Sequence, residues 1–362
     1  MLVFAQLALR CFFSGDRARN KLGAVVLLYA ALSFYQANLG HFVVWGLLIA
    51  ALRGKLRAEK KVLTTLVWVM IIGLIASAIS IVSQRVLERL GVVAGTERSP
   101  VLSAMLRNLP DLIKIAYNNV LIDGMHFMGR TMGIVTVCLT LGMLVGCILR
   151  RREVSMWMLL LTAMIAFAIP YAPHLLSDWI WLVPRTLMSV FSYLSFCALV
   201  MLYLSCTKKE CGRIAPPAVS AVLVLVIGAF LLVNAKGIYT IGLEQIRSNL
   251  LDKYEAKAIL KRVEAYEQAE GREVTRFGYV RDSWIIWAYP EAPNCYMDIN
   301  TRAGAKDWEI EKYLSYYGNR YFQIVEVPEE IRAACFEGRE WDEFNPDEQV
   351  VIVDDTLYLG AY

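Results

Sequence analysis

Ala215 to Lys236 reads APPAVSAVLVLVIGAFLLVNAK, and Val219 to Val233 within it holds no charge. With its flanks this run spans about 30 Å of hydrocarbon at roughly 1.5 Å per residue. Charge changes sign across it. Residues 1–235 carry 22 Lys and Arg against 9 Asp and Glu, a formal charge of +13, whereas residues 236–362 carry 15 against 24, or −9. The stretch therefore predicts the last crossing of a polytopic membrane protein and the start of a water-soluble domain.

Composition agrees with that division. The chain is 57% hydrophobic, and its apolar residues come in long blocks, as in α-helical membrane proteins. The overall charge of +4 hides the asymmetry. The basic residues of the first part cluster in short loops, which is a topology signal and no argument for a nucleic-acid partner. Three histidines and eight cysteines form no metal-ligand spacing, so neither a metal nor a cofactor is expected. Cys295 and Cys335 share the soluble domain; a disulfide and two free thiols are both open.

Working back from the last crossing, Met1 to Phe13 reads as the tail of a spanning helix that begins upstream. Leu22 to Leu52 is interrupted at Tyr35-Gln36-Ala37-Asn38, and basic residues lie on both of its sides. Two short helices meeting at that turn are expected. Val62 to Val82, Gly133 to Leu149, Met156 to Ile169 and Thr186 to Ser205 are further apolar spans. Placing Arg17 to Lys21, Arg53 to Lys61, Arg150 to Arg152 and Lys208 to Arg213 on one face gives about eight crossings, counting a partial first. The C-terminal domain is then extracytoplasmic. The expected divisions are a transmembrane helical domain 1–235 with an outer interfacial segment 83–130, an extracytoplasmic helix 236–270, and a small extracytoplasmic α/β domain 271–362.

The outer segment is basic in spite of its side. Arg85, Arg89, Arg98, Arg107, Lys114 and Arg130 face four carboxylates there, which suits either a solvated surface or a phosphate-bearing ligand. Val101 to Ile122 has Leu102, Met105, Leu109, Leu112, Ile115 and Ala116 at helical spacing. Such a helix would lie along the interface. In the soluble domain, Ile246, Leu250, Tyr254, Ile259, Val263 and Tyr266 predict the inward stripe of a helix from about Ile241 to Gln268. Strands are expected at Val274 to Val280, Trp284 to Tyr289 and Tyr321 to Val327, a helix near Ala305 to Tyr316, and a hairpin at Gln349 to Leu359 around Asp354-Asp355.

Four patterns in this order carry a resemblance: Tyr35-Gln36 at a broken apolar pair, Pro184-Arg185 opening a span, SNLLDKYEAKAILKRV from Ser248, and NPDEQVVIVDDTLYL from Asn345. Together they resemble the GtrII-type glucosyltransferases of bacterial envelopes. The resemblance implies a GT-C-like enzyme moving a hexose, glucose by analogy, from a polyprenyl-phosphate donor to an envelope polysaccharide such as O-antigen. It also implies an acidic catalytic residue in a first outer loop that precedes this sequence. A non-catalytic flippase or accessory protein for lipid-linked saccharides is the alternative, as is a shortened inactive homologue.

Such a transfer needs a base for the acceptor hydroxyl, cations for the leaving phosphate and apolar room for the prenyl chain. Arg185, at headgroup depth after Pro184, is the first candidate for the phosphate; a snorkelling arginine is its plain alternative. Arg107 and Lys114, seven residues apart, are further candidates on one helix face. Asp178 and Asp123 are outer carboxylates available as base, with a solvated loop role as the alternative. Tyr35 and Gln36 suit a sugar through stacking and hydrogen bonds, or an interfacial aromatic belt. The expected partners are thus the lipid-linked sugar donor, the polysaccharide acceptor and membrane lipids.

Overall fold

The computed structural model describes residues 2–92, 104–121, 129–175, 180, 182, 188–206, 217–282, 284–295 and 299–362. Two compact units are distinguished, Met1–Ala235 and Lys236–Tyr362.

The first unit is a bundle of helices: α1 (Leu2–Phe13), α2 (Ala18–Phe34), α3 (Asn38–Arg53), α4 (Lys60–Arg89), α5 (Ala104–Leu121), α6 (Gly129–Leu149), α7 (Met156–Ala168), the short α8 (Ala172–Leu175) and α9 (Met188–Cys206). α3 is apolar on every side, and Phe42, Val44, Leu47 and Leu48 are all buried, as expected of a helix at the centre of a bundle. Its glycines set the spacing. A Cβ on Gly46 would sit 2.7 Å from Val69 Cγ1 of α4, and one on Gly40 would overlap the Ser189 hydroxyl of α9. Outward faces are apolar as well: Leu74, Ile134, Met164 and Leu232 are exposed, a surface suited to hydrocarbon.

Among the described residues, Lys60–Arg89, Arg130–Leu149, Met156–Leu175 and Val224–Glu270 are long and apolar enough to cross a membrane. Leu2–Phe13, Asn38–Arg53 and Met188–Leu204 are shorter apolar helices. The connections sort to two ends. At one end Arg53 Nη1 donates to Phe13 O at 3.2 Å, Arg57 Nε to Glu153 O at 3.4 Å and Ser155 N to Leu56 O at 2.8 Å. Those bonds gather the basic loops that follow α1, α3 and α6. At the other end lie the Tyr35-Gln36 turn, the α7–α8 junction and α5.

The anticipated break between the last span and the soluble helix does not occur. Pro217–Glu270 is one helix, α10, of 54 residues, because the region around Lys236 contains only an isolated Gly237, which a helix tolerates.

In the second unit α10 packs Ala256, Ile259, Leu260 and Val263 against a four-stranded sheet ordered β2-β1-β4-β3. β1 (Arg276–Arg281) pairs parallel with both β2 (Gln323–Ile324) and β4 (Thr356–Ala361); β3 (Val350–Val353) returns antiparallel to β4. The hairpin turns at Asp354, whose φ of 55° is left-handed. α11 (Asp307–Gly318) covers the sheet through Ile310 and Leu314, and two short helices, α12 (Glu329–Ile331) and α13 (Pro346–Gln349), fill the crossovers.

Three sequence expectations change here. Ile246, Leu250 and Tyr254 are exposed, while the inward face of α10 begins with Glu244, Ser248 and Asp252. Hydrophobic periodicity cannot find a buried face whose first half is polar. Trp284 to Tyr289 forms no strand, since its carbonyls serve Arg302 rather than a ladder. The strand expected at Tyr321 to Val327 narrows to Gln323–Ile324.

Candidate functional site

α5 lies at the end of the bundle opposite the basic loops, and its sequence divides into three lengthwise sectors at three- and four-residue spacing. Asn108, Leu112, Ala116, Asn119 and Val120 are buried, whereas Leu106, Leu109, Ile113 and Tyr117 are exposed and apolar. Arg107, Asp111, Lys114 and Asn118 form the polar sector. These four side chains line one groove of about 450 Å³, closed by Asn108, Ile115 and Ile180. With two cations and one carboxylate among its described lining residues, the groove suits an anion.

Behind the polar sector, α5 borders a second groove of about 800 Å³. Its walls are almost wholly apolar: Leu109, Ile113 and Tyr117 from α5, Val137 and Leu141 from α6, and Phe167, Tyr171 and Tyr193 beyond. One helix thus separates a cationic groove from an apolar one. Asn108 fixes it in place, donating to Leu175 O at 3.3 Å and His174 O at 3.5 Å, while Arg107 Nε donates to Asn108 Oδ1 at 3.4 Å. Asn108 and Asp111 are groove-lining positions that the sequence did not single out. Their spacing with Lys114 on the predicted interfacial helix was the available signal.

Gln36 lines a third cavity, of about 240 Å³, with Ser77, Ser80 and Pro173; Ile169 and Ala172 are walls of both this cavity and the apolar groove. Tyr35 caps α2, its N–H bonding Ala31 O at 3.1 Å. The structure therefore brings Arg107 and Lys114 together and puts Gln36 in a separate, adjoining cavity. Asp123, Asp178 and Arg185 lie outside the described residues.

Elsewhere in the bundle, the exposed Gln6 amide donates to His41 Nε2 at 2.7 Å, leaving Nδ1 as the donor to Ser192 Oγ at 3.1 Å. This chain ties α1, α3 and α9 together by polar contacts that run in from the surface.

In the second unit, the sequence pattern around Asp252 has a structural use. Asp252 accepts from Tyr289 Oη and Ala303 N, each at 3.0 Å, and burial pushes its carboxyl up to about 6. One turn along, Glu255 pairs with Arg302 at 3.6 Å. Arg302 is only 1% exposed; it donates to Ile286 O and Tyr362 O and lies 3.4 Å from the Tyr362 ring centroid. The cluster joins α10, the loop after β1 and the end of β4. Cys295 and Cys335 are free thiols.

Residues 2–202 match the family described as Glucosyl transferase GtrII, a match that takes in every groove-lining residue above. The chain belongs to this family. Membership makes it a glucosyl transferase by family, carried on membrane-like helices. No curated protein and no solved structure matches it.

Proposed function

We propose that this GtrII family member is a multi-pass, GT-C-like protein of the bacterial plasma membrane that transfers glucose from a polyprenyl-phosphate donor to an envelope polysaccharide, O-antigen or similar. The single observation that carries the reading is the pairing of grooves about α5. Arg107 and Lys114 line the groove that takes the donor phosphate, and the apolar groove takes the prenyl chain. A guanidinium and an ammonium suit a phosphate that gains charge as it leaves.

In the transfer, the bond from the sugar anomeric carbon to the phosphate oxygen breaks and a bond to an acceptor hydroxyl oxygen forms. The hydroxyl proton goes to a carboxylate. Asp111 lines the same groove as the cations, and Asp123 and Asp178 are the other carboxylates for this role. Arg185 adds to phosphate binding, and Tyr35 and Gln36 contact sugar from the adjoining turn. This reading carries about eight crossings with the basic loops cytoplasmic and the C-terminal domain extracytoplasmic.

The test is transfer in proteoliposomes from a synthetic prenyl-phosphate glucose. Arg107→Ala with Lys114→Ala should raise the donor KM by about 10²-fold, two lost charge-assisted contacts at roughly 1.5 kcal/mol each. Wild-type donor affinity in the double variant overturns the phosphate assignment.

A further inference from the structure

Three of the four tryptophans of the second unit face solvent. Trp284 is 79% exposed, Trp287 51% and Trp308 56%, while Trp341 is buried. Large exposed indoles on a small soluble unit mark a binding surface more often than a packing defect.

These three occupy segments that meet at the C-terminal end of β1. Arg281, the last residue of β1, lies 3.1 Å from Asp307 at the start of α11, and Tyr279 Oη donates to the same carboxylate oxygen at 3.2 Å. Trp308 adjoins Asp307, and Trp284 follows Arg281 by three residues. The carbonyl of Trp287 accepts from Arg302 N at 3.0 Å, just ahead of the turn that leads into α11. Asp307 is 65% exposed, whereas Arg281 beside it is largely buried, with Nε and Nη2 shielded from solvent. Glu311, one turn along α11, also faces Tyr279, whose hydroxyl is pushed up to about 12 by burial and by these two carboxylates and so remains a donor.

We propose that the C-terminal end of β1 and the first turn of α11 form a saccharide-binding platform for the acceptor polysaccharide. The indole faces of Trp284, Trp287 and Trp308 take the C–H faces of hexose rings, and Asp307, held from behind by Arg281 and Tyr279, takes their vicinal hydroxyls. Pyranose rings present an apolar face with a rim of hydroxyls, and exposed aromatic faces near an exposed carboxylate match that pattern. A membrane surface is the poorer occupant, because the start of α11 carries Asp307, Glu309 and Glu311, and the Lys306 ammonium over the Trp308 ring is already paired with Glu309. The identity of the ligand as acceptor rests on the proposed function; the binding chemistry does not.

The experiment uses the purified full chain in detergent micelles and an array of bacterial surface polysaccharides with glucose-, galactose- and rhamnose-containing oligosaccharides, followed by calorimetry on the best-bound glycan. Binding is expected, weakened about tenfold by Trp308→Ala or Trp284→Ala and largely retained in Trp308→Phe, with Asp307→Asn also weakening it. No glycan bound anywhere on the array, or equal affinity in all variants, overturns the proposal. So does tryptophan-dependent binding to phosphatidylglycerol vesicles in place of glycan. Failure here is distinct from failure at α5, since the array needs no transfer: Arg107→Ala with Lys114→Ala should leave glycan affinity unchanged.

Discussion

Asn108 Nδ2 lies 3.3 Å from the carbonyl oxygen of Leu175, so one buried amide fastens α5 to the end of α8. Carbonyls in the last turn of a helix have no partner within it, and α8 has only four residues. Asn108→Ala would withdraw the donor and cost about 1–3 kcal/mol. Faster hydrogen exchange across 104–121 is expected in detergent micelles, together with weaker donor binding. Unchanged exchange in that segment would show that α5 is held by its apolar contacts alone.

Asp252 makes the second unit sensitive to pH in a defined direction. Its carboxyl titrates near 6 in the folded protein, above the ordinary 3.8, chiefly because it is buried. Between those values the folded state binds more protons than the unfolded one, so this group's contribution to stability falls as pH rises from about 4 to 6. The ceiling is about 3 kcal/mol, at roughly 1.36 kcal/mol per pKa unit. Asp252→Asn keeps an oxygen for Tyr289 and Ala303 but has no charge to bury. Its melting temperature should come closest to wild type below about pH 3.8 and exceed it by several degrees at pH 7.5. Parallel pH profiles for the two proteins would exclude Asp252 as the source.

Arg302 poses the opposite problem, a permanent charge at 1% exposure. Its removal takes the cation from Glu255, which keeps only the Tyr362 hydroxyl as donor, and strands the carbonyls of Ile286 and Tyr362. Arg302→Met should destabilise the unit by about 3–5 kcal/mol, the usual cost of breaking a buried pair from one side. Adding Glu255→Gln should restore part of that loss, because the carboxylate left without its cation is neutralised. Denaturant titration of the four members of this cycle measures the coupling, and strictly additive effects would dissolve the pair.

Much of this fold was legible in the sequence for a physical reason. Apolar blocks between basic loops form apolar helices, four of them among the described residues long enough to cross a membrane, and Tyr35 to Asn38 contains the polar groups that let two helices turn. The β3–β4 hairpin was legible because Asp354-Asp355 separates two short runs rich in apolar and β-branched residues. The inward face of α10 was not, since Glu244, Ser248 and Asp252 are buried by hydrogen bonds and packing that come from residues roughly 40 or more positions away, as Asn294 does for Glu244. At the site, helical spacing singled out Arg107 and Lys114 as partners on one face. Asn108 escaped because its role depends on carbonyls of α8, a short helix with no periodic signature.

The two ends of the bundle can be told apart by labelling. Arg53, Arg57 and Arg150 stand at one end, joined there by the bonds to Phe13, Glu153 and their neighbours, while Gln36 and Lys114 line cavities at the other. Lys and Arg in short loops are retained on the cytoplasmic side during insertion. In a cysteine-free background, Lys55→Cys and Arg151→Cys should react with a membrane-impermeant maleimide only after spheroplasts are permeabilised. Gln36→Cys, Lys114→Cys and a cysteine at Tyr316, exposed on the second unit, should react in intact spheroplasts. The reverse pattern would turn the protein over and remove the envelope polysaccharide from reach. Labelling of Lys55→Cys and Gln36→Cys from one side would break the alternation of α2 and α3, on which the end-to-end placement of both grooves depends.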